Sequence, residues 1–81
     1  MELVEITRGH LQVKVGEKSI TIYGEAFLRK YGSPDFVLYQ KSIEKWDAPD
    51  DKENLTLIEK NQLVQFLKEE FSRRKMCVEI E

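Results

Sequence analysis

Apolar and polar residues alternate along the first third of the chain. The pattern recurs in three short segments, at residues 3–7, 10–15 and 19–23, and in the first of them Val4 and Ile6 share one face. A period of two is that of a β-strand with one buried face. Because only short polar turns separate the segments, they predict a three-stranded antiparallel meander.

The middle and the end of the chain predict two further strands. Residues 36–39 are apolar at every position, which is typical of a strand covered on both faces near the centre of a sheet. Residues 32–35 before it form a turn signal. The segment at residues 25–30 either continues the third strand or forms a wide connection. Residues 76–80 alternate again and predict the last strand.

One amphipathic helix is predicted between these two strands. Thr56 and Glu59 have the spacing of a capping box, in which the hydroxyl and the glutamate satisfy helix-terminal amides. A core-facing stripe follows at helical spacing: Leu57, Leu63, Val64, Leu67 and Phe71. The predicted fold is therefore α+β, a small antiparallel sheet in the order β-β-β-β-α-β with one C-terminal helix packed on one face.

Length and charge limit the classes of function. A chain of 81 residues is too short for two cores, so residues 1–81 are predicted to form a single domain. The 15 acidic and 13 basic residues give a net charge of −2, whereas nucleic-acid binding normally needs a basic face. No apolar run approaches the roughly 20 residues of a membrane span, and the N-terminus lacks a signal sequence. These features predict a cytoplasmic protein with neither nucleic-acid nor membrane partners.

Candidate catalytic side chains are few. The chain has a single histidine, His10, and a single cysteine, Cys77, on alternating segments far apart. General-base or nucleophilic catalysis needs a matched partner for either, and the sequence nominates none. Metal binding needs several ligands at suitable spacing, which is also absent. We therefore predict no catalytic residues, no metal site and no cofactor.

The segment SIEKWDAPDDKEN, residues 42–54, carries the most distinctive local pattern. It places the only tryptophan, Trp46, directly ahead of an acidic run. We interpret Trp46, Asp47 and Pro49 as a structural corner, in which the ring is buried, the carboxylate accepts amide hydrogen bonds and the proline fixes the backbone. The spacing of the carboxylates fits neither a calcium loop nor a catalytic pair.

The acidic residues of this segment and two aromatic residues are candidates for contact with a protein partner. Aromatic side chains supply much of the contact energy at interfaces, and carboxylates steer a cationic partner. The candidate partner-binding residues are Asp47, Asp50, Asp51, Glu53, Tyr39 and Phe66.

The chain also resembles a known family. The resemblance rests on EITRGHLQVKV, TIYGEAF and GSPDFVLYQKSIEKWDAP, together with the closing helix and strand, and spans nearly the full length. These stretches are similar to the Immunity protein 74 family of bacterial polymorphic toxin systems. The resemblance implies a small cytosolic non-enzyme that binds and blocks one cognate toxin protein. Two alternatives stay open: a homodimer or larger homo-oligomer joined through sheet edges, and a minimal hydrolase using His10 or Cys77.

Overall fold

The computed structural model describes residues 1–27 and 35–81, which form a five-stranded sheet, a short 3₁₀-helix and one α-helix. The elements are β1 (Glu2–Ile6), β2 (His10–Val15), β3 (Lys18–Ala26), β4 (Phe36–Leu38), the 3₁₀-helix (Gln40–Ser42), α1 (Leu57–Arg73) and β5 (Val78–Ile80). The α+β class and the order β-β-β-β-α-β are confirmed. The third strand continues through Glu25 and Ala26, whereas the turn predicted at residues 32–35 lies outside the described residues except for Asp35.

The strands follow one another across the sheet in chain order, β1-β2-β3-β4-β5. The first four pair antiparallel, but β4 and β5 are parallel, with Phe36 opposite Val78 and Leu38 opposite Ile80. The sheet is therefore mostly antiparallel, as predicted, with one parallel pair at its end. Because α1 lies between β4 and β5 in the chain, it returns the backbone to the end of the sheet where β4 began, as parallel pairing requires.

A β-bulge in β1 changes which residues of that strand face the core. Leu3 lies opposite Val13, whereas Glu5 lies opposite Gln12, so Val4 is an extra residue between two paired positions. One inserted residue shifts the alternation of side chains. Leu3 and Ile6 consequently pack against the core and Val4 is exposed, which corrects the expectation that Val4 and Ile6 share a face.

The core lies between one face of the sheet and α1. The buried apolar cluster comprises Leu11, Val13, Ile20, Ile22, Phe36, Leu38, Ile43, Trp46, Leu55, Leu63, Leu67 and Phe71. The rings of Phe36 and Phe71 lie 6.1 Å apart between centroids, which joins the sheet to the last turns of the helix. Val37 is also buried but lies outside this cluster, because neighbouring residues of a strand point to opposite faces.

The helix begins at the predicted capping box. The amide of Glu59 donates to Thr56 Oγ1 at 3.1 Å, and the amide of Thr56 donates to Glu59 Oε1 at 2.9 Å. The predicted stripe is wrong at Leu57, which is 73% exposed, because the buried side of α1 starts only at Leu63. Leu55, which precedes the helix, is buried at that end of the core instead. Within the described residues, no helix has the length and apolar character to cross a membrane.

Candidate functional site

The segment that follows β4 runs along the exposed edge of β3. β4 pairs with β3 only at residues 24–26, which leaves the earlier part of that edge without a strand partner. The amide of Tyr39 donates to the carbonyl of Tyr23 at 2.9 Å, and the amide of Tyr23 donates to Ser42 Oγ at 2.9 Å. One backbone amide and one side-chain hydroxyl thus continue, along β3, the hydrogen bonding that β4 begins.

Asp47 completes this attachment near the start of β3. Its amide donates to the carbonyl of Ser19 at 2.8 Å. Its carboxylate accepts two hydrogen bonds from Thr21, one from the backbone amide at 3.2 Å and one from the hydroxyl at 2.9 Å. The sequence predicted amide hydrogen bonds to Asp47 within its own turn, but the donor lies 26 residues earlier in the chain. Both carboxylate oxygens therefore face the fold.

Trp46 is buried immediately beside this attachment. Its side chain is 4% exposed and belongs to the core cluster, and the Nζ atom of Lys18 lies 5.4 Å from the centre of the ring. Lys18 also donates to Glu53, and this hydrogen bond, with the nearby charge of Asp50, raises the pKa of the lysine. Pro49 is exposed, and the peptide bond before it is cis. Lys18 thus links the ring to the acidic run.

A depression of about 500 Å³ opens between β3 and the attached segment. Thr21 and Tyr23 line it from the strand, and the segment supplies Ser42, Glu44, Lys45, Trp46, Asp47, Ala48 and Asp51. Tyr23 is 57% exposed, and Glu44 and Asp51 are exposed as well. The depression therefore has an aromatic wall and two outward carboxylates. No pattern in the sequence predicts that Tyr23 and Glu44 line one depression, because only the attachment of the segment to β3 brings them together.

The two candidate aromatic residues lie in different places. The hydroxyl of Tyr39 donates to Glu25 at 3.2 Å, and partial burial together with this hydrogen bond raises the pKa of Tyr39. Its backbone contact with Tyr23 places it beside the depression. Phe66 is half-buried on α1, packs against the core and is not among the residues that line the depression. Neither residue lines the depression, but Tyr39 is bonded to Tyr23, which does, whereas Phe66 belongs to the helix.

His10 has polar neighbours that the sequence did not reveal. Its Nδ1 atom lies 3.0 Å from Thr7 Oγ1 and its Nε2 atom 4.0 Å from Glu5, an arrangement that superficially resembles a nucleophile, base and acid. The Thr7 hydroxyl, however, accepts hydrogen bonds from the amides of Gly9 and His10 and donates to the carbonyl of His10. These contacts identify it as the cap of the β1–β2 turn.

The remaining chemistry-bearing side chains form no cluster in the described structure. Cys77 is exposed, and its backbone amide donates to Asp35 Oδ2 at 2.7 Å. Across residues 1–27 and 35–81, no group of three or more His, Cys, Asp or Glu side chains is placed to hold a metal ion. The surface around the depression is therefore the strongest candidate site, and its features suit contact with another macromolecule.

Comparison with protein families identifies a match over nearly the full length. The model of a family described as Immunity protein 74 matches residues 3–81, essentially the whole chain. Neither a curated protein nor a solved structure matches it.

Proposed function

The chain belongs to the Immunity protein 74 family, and on this premise we propose that it binds and neutralises one cognate bacterial toxin protein by covering that toxin's functional surface. It acts in the cytoplasm of the cell that would otherwise be poisoned, without catalysing a reaction. The toxin belongs to a polymorphic or contact-dependent system used in bacterial competition. Inhibition by covering the surface of another protein requires no catalytic side chains.

The observation that carries this proposal is the β3-edge surface, defined here as Tyr23, Glu44 and Asp51, which line the depression, together with the neighbouring Tyr39. An exposed tyrosine beside a concave surface is the kind of residue that anchors protein interfaces, because it buries a large area with little loss of rotamer freedom. The segment beneath it is fixed to β3 by hydrogen bonds and by the buried Trp46. A rigid surface of this kind binds without a large ordering cost.

Charge supports a cationic partner. Residues 42–54 contain five carboxylates and two lysines. Asp47 is bonded to Thr21 and Glu53 to Lys18, and Asp50 is partly buried, so the negative charge presented outward comes mainly from Glu44 and Asp51. If the toxin is a nuclease, the site that binds phosphate carries cationic groups, and these carboxylates are complementary to them. Complementary charge then accelerates association and orients the two proteins.

The first experiment tests the partner itself. The purified chain is mixed with the C-terminal domain encoded by the large reading frame next to its gene, and binding is measured by calorimetry. We expect a stable complex, and we expect cells expressing the chain to survive production of that domain. A wild-type chain that neither binds the domain nor protects cells would overturn the proposed function.

The second experiment tests the surface. Tyr23→Ala should weaken the complex by about 30-fold or more, as truncation of a hot-spot aromatic does. Phe27→Ala is the matched control, because it removes another exposed aromatic ring, one residue beyond the end of β3 that lies away from Asp47. Asp51→Asn should mainly slow association, and the difference should shrink at high salt. Equal effects of Tyr23→Ala and Phe27→Ala would remove the β3-edge surface from the interface.

A homodimer through sheet edges is the second candidate. β1 is an outer strand of the sheet, and such a strand offers backbone groups to another chain. The bulge at Val4 interrupts the regular spacing of those groups, which weakens edge pairing. Sedimentation at micromolar concentration separates the two candidates, since a monomer in the absence of toxin argues against assembly as the function.

A further inference from the structure

A second feature of the surface lies at the start of α1. Leu57 and Ile58 are neighbours in the first helical turn and are 73% and 69% exposed. These are the largest exposed fractions among the large hydrophobic side chains that the structure describes. Isolated exposed apolar residues are common, but two adjacent ones on a fixed backbone form a contiguous apolar patch.

Packing of the fold does not explain this pair. Leu55 is buried at this end of the core, and the buried side of the helix begins at Leu63. Ile58 lies five residues before Leu63, which places it about 140° around the helix from the buried side. Replacing either exposed side chain by a polar one should therefore leave the core unchanged.

The patch is held in a defined position. The capping box between Thr56 and Glu59 satisfies amides at both ends of the turn, and the amide of Lys60 donates to the carbonyl of Thr56 at 2.9 Å. A preorganised turn loses little conformational entropy when a partner covers it.

The charge around the patch is negative. Residues 50–60 carry four carboxylates and two lysines, and Lys18, which is ion-paired with Glu53, adds a third cation, so four carboxylates stand against three lysines. A partner that covers the patch must face this excess of negative charge, and lysine or arginine side chains would complement it.

We propose that the Leu57–Ile58 pair is an apolar anchor for the toxin, inserted into an apolar pocket whose rim carries lysine or arginine side chains. This inference rests on the proposed function. It extends the proposed contact from the β3-edge surface, along residues 47–53, to the start of α1. The proposal therefore requires a pocket in the toxin with an apolar floor and a cationic rim.

The test uses the full chain and the adjacent-locus toxin domain. The double variant Leu57→Gln with Ile58→Gln removes both apolar side chains while keeping residues that favour a helix. We expect its dissociation constant to rise by about 100-fold or more, mostly through faster dissociation, with an unchanged melting temperature. Val4→Gln is the matched control, since it removes an exposed apolar side chain from β1 and should bind like the wild type.

The outcomes separate the two proposals. If the wild type binds tightly and the double variant binds equally well, the anchor is overturned and the proposed function stands. If the wild type does not bind at all, both fail together. The cationic rim has its own test, because the association rate of the wild type should fall as salt rises from about 0.05 to about 0.5 M. A rate independent of salt would overturn that part of the inference.

Discussion

Truncation of Trp46 tests whether the tryptophan holds the fold or contacts the partner. The ring is almost completely buried, belongs to the core cluster and lies under the ammonium group of Lys18. Trp46→Ala removes the ring at the point where the segment that follows β4 packs against the core. The attachment of Asp47 to β3, one residue later, loses its apolar support at the same time.

The expected loss of stability is large for a domain of this size. Truncating a buried aromatic side chain to alanine typically costs about 3–5 kcal/mol, which combines lost transfer energy with an unfilled cavity. An 81-residue domain has a total free energy of unfolding of about 4–12 kcal/mol. With about 4–8 °C of melting temperature per kcal/mol, Trp46→Ala should melt about 12–40 °C below the wild type.

The assay is unfolding by heat and by urea, followed by far-UV circular dichroism because the variant lacks the fluorescent ring. Trp46→Phe keeps an aromatic ring in the core and should lose clearly less stability. Tyr23→Ala truncates an exposed ring and should lie within about 0.5 kcal/mol of the wild type. A Trp46→Ala chain with the melting temperature of the wild type would refute the assignment of this residue to the core.

Three further substitutions probe the edge attachment, the sheet and the helix start. Asp47→Ala removes two hydrogen bonds to a carboxylate and should lower the free energy of unfolding by about 2–4 kcal/mol in urea titrations; wild-type stability would show that they contribute nothing. Gly24→Ala should destabilise by about 3 kcal/mol or more, because the new Cβ would lie 2.2 Å from the carbonyl oxygen of Val37, whereas Gly9→Ala meets nothing within 4 Å and should be nearly neutral. Equal thermal shifts of these two variants would contradict the close approach at Gly24. Thr56→Ala should lose about 1 kcal/mol with the cap, measured by thermal unfolding, and an unchanged melting temperature would mean that the capping box is not formed in solution.

Local periodicity predicted the middle of the sheet because strand alternation is a property of a single segment. Leu11 and Val13 in β2, like Ile20 and Ile22 in β3, are fully buried on the predicted face. The bulge at Val4 could not be predicted in this way. A bulge depends on how two strands pair, and the sequence of one strand does not determine the register of that pairing.

Prediction of the buried side of the helix from local spacing has a similar limit. Helical spacing correctly identified Leu63, Leu67 and Phe71 as the buried side of α1. Spacing defines a direction around the helix but not where the core ends, so Leu57 was placed in the stripe although its turn lies beyond the core. That boundary is set by Leu55, a residue outside the helix.

Long-range contacts limited the prediction of the site. A buried position for Trp46 follows from residue type, and the ring is buried. The partner of Asp47, by contrast, is Thr21 in another strand, and no spacing rule connects them. Tyr23 could be placed in a strand by alternation but not beside a depression, because only the folded segment after β4 creates that depression.

Asp47 and Asp51 show why the acidic run does not act as one cluster. Both follow Trp46 within five residues, yet burial of the ring draws Asp47 onto β3, where two donors bind its carboxylate, while Asp51 stays exposed at the rim of the depression. A carboxylate that already accepts a hydrogen bond on each oxygen inside the fold has less left to offer a partner, whereas a solvated one can exchange water for a cation. Removal of charge at Asp47 should therefore change stability, and removal at Asp51 should change the association rate. We therefore expect the electrostatic field at this surface to come from the carboxylates that the fold leaves exposed to solvent.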